Sequence, residues 1–203
     1  MNEETHNKLM EIKRSFRLFM NGPTSQSMRE KGSAYKINWG VPFIELKKMS
    51  GEYGKDYELA IELWKENIRE CKILATLIMP AEKILPEIAD LWMEQATEQE
   101  TVEMLAFNLL QHVDYAPVIA YQWIASEKPL YQIAGYNILS RLFAAQKEAN
   151  ERGINEFLDQ ASVALQGDNV GVRHAAANCV MRFCDLGEDY ESIAERALKG
   201  IMF

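Results

Sequence analysis

Two stretches of the chain place cations where an anion could be held. Arg69 and Lys72 stand one turn apart in a helical run that also carries Leu63-Trp64. Arg173 and His174 follow Asp168 in the first turn of another helix, where free backbone N–H groups favour a phosphate. Lys36 and Trp39 lie in the loop before Pro42, and Arg182 falls further along the helix that carries Arg173. Guanidinium and ammonium groups fix phosphates, and a tryptophan in a loop is less readily assigned to core packing than one in a helix. Lys36, Trp39, Arg69, Lys72, Arg173, His174 and Arg182 are therefore the candidate nucleic-acid-binding residues. Other chemistries lack their motifs, since the chain has no Gly-x-Gly-x-x-Gly, P-loop, Gly-x-Ser-x-Gly or His-Glu-x-x-His. His6, His112 and His174 are far apart and have no partner ligands at helical spacing, so neither a metal site nor a cofactor is expected. His112, next to Asp114, reads as a cation at a helix terminus.

Charge restricts where an anionic partner could sit. The 203 residues carry 22 Lys+Arg against 30 Asp+Glu, a net charge of −8, whereas phosphate-tracking proteins usually hold a basic surplus. The imbalance is uneven. Residues 1 to 83 hold 14 basic against 12 acidic side chains, and residues 84 to 203 hold 8 against 18. Duplex DNA, if it is the partner, is expected on the N-terminal part, where Lys13, Arg14, Arg17, Arg29, Lys31, Lys36, Lys47 and Lys48 cluster in sequence. Three cysteines without C-x-x-C spacing read as reduced core thiols. The charged N-terminus has no apolar leader and no run is long enough to span a bilayer, so a cytoplasmic protein with no membrane partner is expected.

Positioning these residues falls to helices. Apolar spacing predicts a first helix over about 3 to 21, ending at Asn21-Gly22-Pro23, then a polar connection with a short helix around Met28. Pro42 sits at a helix start, with Phe43, Leu46 and Met49 as its apolar stripe and Gly51 and Gly54 as its end. A strong helix is predicted from Asp56 to Met79, closed by Pro80. Further helices fall near 82 to 95, 98 to 112, 115 to 126, 129 to 148, 151 to 166, 170 to 185 and 188 to 200. Thr97-Glu98-Gln99-Glu100 has capping-box form, Pro129 suits a first helical position, and Asp168 can cap its successor. Second helices of successive pairs would begin near 57, 98, 129 and 170, separations of 41, 31 and 41 residues. Such spacing belongs to helical-hairpin repeats, which curve and leave a concave face lined by one helix of each pair. Trp92 and Trp123, at similar points of two first helices, are expected to fill inter-helix space.

Residues 35 to 79 also carry a family likeness, through the Gly40-Val41-Pro42 loop, the Leu63-Trp64 pair, and Glu70 two residues before Lys72. The segment resembles the first repeats of the AlkD-like DNA alkylation repair family, all-helical glycosylases built from HEAT-like repeats. In wording the likeness covers 35 to 80, and in architecture 35 to 185. It implies an all-α fold, a HEAT-like helical-hairpin repeat array forming an α-α superhelix with a concave groove, as a single domain over 1–203. The family's chemistry, excision of an alkylated purine, stabilises an oxocarbenium sugar with a carboxylate and aromatic faces. The expected Trp-x-x-x-Asp falls on Gln99 and Glu103, the expected Arg has no counterpart before Arg141, and Asn178 stands where a late Trp would be. Glu103 is then the candidate catalytic residue that the resemblance leaves. Two readings follow: a protein that binds duplex DNA, with or without excising alkylated purines from it, or a non-catalytic helical-repeat scaffold for a protein or an unusual nucleic-acid structure.

Overall fold

The computed structural model describes residues 2–201, and these contain helices, turns and loops but no β-strand. The chain divides into two compact units, Met1–Leu109 and Leu110–Phe203.

In the first unit, α1 (Glu3–Ser15) is capped by Asn2, whose side chain accepts from the Thr5 N–H, and runs into a 3₁₀ turn, Phe16–Leu18. The expected helix to residue 21 ends there for a local reason. Asn21 accepts the Thr24 N–H and opens α2 (Gly22–Glu30), with Pro23 in its first turn, so Asn21-Gly22-Pro23 starts a helix instead of ending one. Next, α3 (Phe43–Tyr53) follows Pro42 and closes at Gly54, whose φ of 67° suits glycine, while Gly51 remains inside the helix.

The long helix expected over 56 to 79 is two helices, α4 (Tyr57–Lys65) and α5 (Arg69–Ile78). Between them the backbone is extended and bonds outward: the Ile37 N–H donates to the Asn67 carbonyl at 3.3 Å and the Arg69 N–H to the Ile37 carbonyl at 3.0 Å. This is an isolated parallel bridge between Ile37 and Ile68. The apolar rhythm continues across the break because Leu59, Leu63 and Trp64 of α4 and Cys71, Leu74 and Ile78 of α5 are all buried. Completing the unit, α6 (Pro86–Gln95) and α7 (Gln99–Asn108) form the next pair. Trp64 and Trp92, both 2% exposed, stack with ring centroids 4.2 Å apart and planes within 4°.

The second unit holds a 3₁₀ turn, Leu110–His112, then α8 (Ala116–Ile124), α9 (Pro129–Ala144), α10 (Glu151–Gln166), α11 (Val170–Cys184) and α12 (Glu188–Ala197). Pro129 opens α9 as expected, but Asn169, not Asp168, caps α11 by accepting the Val172 N–H. Helix α9 packs on both α8 and α11, and Phe143, Phe157 and Phe183 meet with centroids 5.3 to 5.4 Å apart. Trp123 is buried, as its repeat position suggested. With α5 recognised, second helices begin at residues 69, 99, 129 and 170, so three successive starts are evenly spaced. All three cysteines are free thiols; Cys71 and Cys179 are buried, and burial pushes both up. Cys184 is raised by partial burial and then by Glu191, Asp185 and Glu195.

Close approach of α8 and α9 depends on Gly135. A Cβ there would lie 2.7 Å from the Ala120 carbonyl oxygen and 2.8 Å from the Ile124 nitrogen, whereas one at Gly51 would meet nothing within 4 Å. Gly135→Ala is expected to destabilise by about 1–3 kcal/mol through overpacking, despite the helix propensity it gains. Gly51→Ala should stabilise by about 0.5–1 kcal/mol. Urea unfolding of the two variants checks both signs.

Candidate nucleic-acid interface

In the first unit the candidate site is built around one enclosed carboxylate. Glu70, 0% exposed, accepts the Trp39 N–H with both oxygens, at 3.1 and 3.2 Å, and the Val41 N–H at 3.2 Å. Arg69 Nη1 lies 3.3 Å from the same carboxylate and donates to the Val41 carbonyl at 3.0 Å. Its Nε and Nη2 hold both oxygens of Glu100 at 2.7 and 2.6 Å. Burial works against the Arg69 charge, but hydrogen bonds and charge from Glu100, then Glu70, outweigh it and keep its pKa above the ordinary value. Arg69 was expected to reach for phosphate. It is 4% exposed and its donors are spent inside the protein, because the helix break turns this first residue of α5 toward Val41 and Glu100. Glu100 is thereby diverted from the capping box expected of it, and Glu98, the residue that precedes α7, supplies no side-chain cap.

Lys72 is half-buried. Its Nζ donates to the Trp64 carbonyl and lies 4.4 Å from the centroid of the Trp64 ring, while burial holds its pKa below the ordinary value. Trp64 in turn donates from Nε1 to Gln95 Oε1 at 2.9 Å. A cleft of about 330 Å³ beside them is bordered by Tyr35, Asn67, Gln95 and Thr101. The Tyr35 hydroxyl is hydrogen-bonded to that of Thr101, and burial raises its pKa, so the phenol stays protonated.

A second cleft of about 350 Å³ opens against α1, with Arg14, Arg17 and Trp39 around a floor that includes Ile37 and Ile68. The Arg17 guanidinium carbon stands 5.8 Å from the centroid of the half-buried Trp39 ring. Lys13, at the same cleft, is paired with Glu66 at 2.9 Å. The sequence shows these residues as separate basic and loop positions. They come together because the extended segment around Ile37 is tied to the break between α4 and α5. Lys36 is exposed on that segment, and its backbone N–H faces Asn67 Oδ1 at 3.4 Å.

Glu103 lies on α7, partly exposed, and accepts from Gln99 Nε2 at 2.8 Å. In the second unit, Arg173 reaches back to the Gly167 carbonyl at 2.7 Å, closing the end of α10. His174 is exposed, and the exposed Arg182 pairs with Asp185 at 3.0 Å. Arg141 has a lowered pKa, from partial burial first and then from the like charge of Arg182. The structure thus joins Trp39 and Arg69 through Glu70, keeps Arg69 and Lys72 on separate tasks, and puts Arg173 and Arg182 at opposite ends of α11. Among the described residues no three His, Cys, Asp or Glu side chains group as metal ligands. No helix among them is long and apolar enough to cross a membrane.

Comparison with known proteins adds three findings. A family model described as DNA alkylation repair enzyme matches residues 12–162. Lin0241, an uncharacterized protein of Listeria innocua, is 26% identical over 168 residues, 80% of this chain and 72% of that one. A solved structure, from a family of proteins related to the HEAT-like repeat DNA glycosylases with affinity for branched DNA structures, has a TM-score of 0.81. Its identity is 18% over 94% of this chain and 83% of that one, so the likeness is one of fold, that of an all-helical HEAT-like repeat protein.

The carboxylates around Arg69 differ in burial, and so should their variants. Glu70→Ala strands two backbone N–H groups and half-frees a buried guanidinium, and a loss of about 3–5 kcal/mol is expected. Glu100 is partly exposed, and Glu100→Ala should cost about 1–3 kcal/mol. Denaturant midpoints at constant m-value test the order.

Proposed function

The chain belongs to the DNA alkylation repair enzyme family, and from that premise we propose that it binds DNA, branched DNA in particular, without excising alkylated bases. The observation that carries this reading is the Gln99–Glu103 hydrogen bond on α7. Excision of a cationic purine needs a carboxylate beside the sugar and an aromatic face near it. At these positions the chain has an amide where the aromatic would be, and a carboxylate one methylene longer that is already bonded to that amide. Placement errors of about 1 Å cost roughly a hundredfold in rate, so the substitution bears directly on catalysis. Affinity for branched DNA among structurally similar proteins supports the choice of ligand.

Phosphate contact falls to exposed cations: Arg14, Arg17 and Lys36 in the first unit, His174 and Arg182 in the second. Arg69 and Lys72 serve the architecture. On a protein of net charge −8 whose Lys13, Arg69 and Lys72 are engaged internally, binding is salt-sensitive but shallow in slope. About four phosphate contacts give a slope near −4 in log affinity against log salt. Fluorescence anisotropy with forked and continuous oligonucleotides at several salt concentrations is expected to show that slope and tighter binding to the fork. Salt-independent or absent binding defeats the DNA reading and leaves the helical-repeat scaffold for a protein partner. On methylated DNA no free alkylpurine should be released. Release by the wild type that disappears in Glu103→Gln would restore Glu103 as catalytic and overturn the non-excising half of the proposal.

A further inference from the structure

The cleft against α1 combines features that a continuous duplex cannot use together. Trp39 is presented by a backbone fixed on both sides: its N–H is held by Glu70, and its carbonyl accepts the Asn21 N–H at 2.9 Å. Gly40 follows with φ of 69°, and a Cβ there would lie 2.3 Å from the Asn21 carbonyl oxygen, so the turn that sets the indole is closed to other residues. The ring is therefore pre-organised, and a ligand that stacks on it spends little on ordering it. Around it, Arg14 and Arg17 are exposed and have no carboxylate partner within ion-pair distance among the described residues, in contrast to Lys13. Ile37 and Ile68 give the cleft an apolar floor, and about 350 Å³ is room for a single small ring system and its attached phosphate.

A flat aromatic with an apolar floor and guanidinium groups that no carboxylate engages matches a nucleobase joined to a phosphate. In a continuous duplex both faces of each base are covered by its neighbours, so a recessed indole cannot reach them; an unpaired nucleotide offers a free face. Arg17, 5.8 Å from the centroid of the same ring, is placed to meet the phosphate of a base stacked there. We infer that the Trp39 cleft receives one unpaired DNA nucleotide, its base against the indole and its phosphate at Arg14 and Arg17. The inference rests on the DNA-binding reading above and gives it a physical basis for preferring branch points, where unpaired nucleotides occur.

The test uses the full chain and two oligonucleotide ligands of equal length, a fork with 2-aminopurine at its unpaired junction position and a continuous duplex. Binding of the fork should quench 2-aminopurine emission. Trp39→Ala should lose about tenfold in affinity for the fork, in line with one base–aromatic stack, and much less for the duplex. Trp39→Phe should recover most of the loss. The double variant Arg14→Gln/Arg17→Gln alters only exposed side chains, so it carries the test even if Trp39→Ala folds poorly, and it too should lose more on the fork than on the duplex. If the wild type binds both DNAs and these variants leave the fork-to-duplex ratio unchanged, the inference is overturned while the DNA reading stands. If the wild type binds neither, the DNA reading itself has failed.

Discussion

A carboxylate sealed from water is affordable only when its charge is fully engaged, and Glu70 is the group on which the first unit depends. It collects two backbone N–H groups and the Arg69 guanidinium, and Arg69 passes the constraint to Glu100. Three segments distant in sequence are thereby held in one register: the loop at 39 to 41, the start of α5 and the start of α7. Removing any one member would leave a charge or a donor stranded, so the arrangement specifies a single placement of these segments more strongly than it adds to net stability. The loop gains its shape from the same constraint, since Gly40 packs on the Asn21 carbonyl in a conformation closed to other residues.

Much of this organisation was legible in the sequence, and the parts that were not have physical reasons. Helices could be read because apolar residues recur at helical spacing and because Pro, Gly and Asn mark their ends. The break at 66 to 68 could not, since Leu63, Trp64, Cys71 and Leu74 keep the rhythm of one helix while the bonds that interrupt it come from Ile37, about thirty residues earlier. The same blindness affected Arg69. Arginine near lysine reads as a charged surface until its carboxylate partners are known, and Glu100 lies a repeat away. One signal was available: Lys36–Asn67, Trp39–Glu70, Trp64–Gln95 and Arg69–Glu100 are each separated by 31 residues. Matching residues at that offset, one more than the 30-residue spacing of the helix starts, pairs Arg69 with Glu100 from the sequence alone.

The candidate cations differ less in chemistry than in commitment. Arg69, Lys72 and Lys13 are engaged by carboxylates, a carbonyl or an indole, whereas Arg14, Arg17 and Lys36 remain at the surface. Fold similarity therefore transfers the scaffold more safely than the chemistry: a family's helices can persist while the residues that act on a substrate are replaced. In α7, Gln99 and Glu103 are hydrogen-bonded to each other.

The three cysteines bear on how such a chain withstands its surroundings. Nucleophilic attack on an electrophile is the work of the thiolate, and each of these thiols is held in its protonated form, Cys71 and Cys179 by enclosure and Cys184 by partial enclosure and neighbouring acids. Small alkylating agents that modify purines also consume reactive sulfur. Cys71 in α5 and Cys179 in α11 are both hidden and protonated, which makes them poor nucleophiles toward such reagents. The low reactivity of Cys71 and Cys179 is thus a property of the same burial that builds the core.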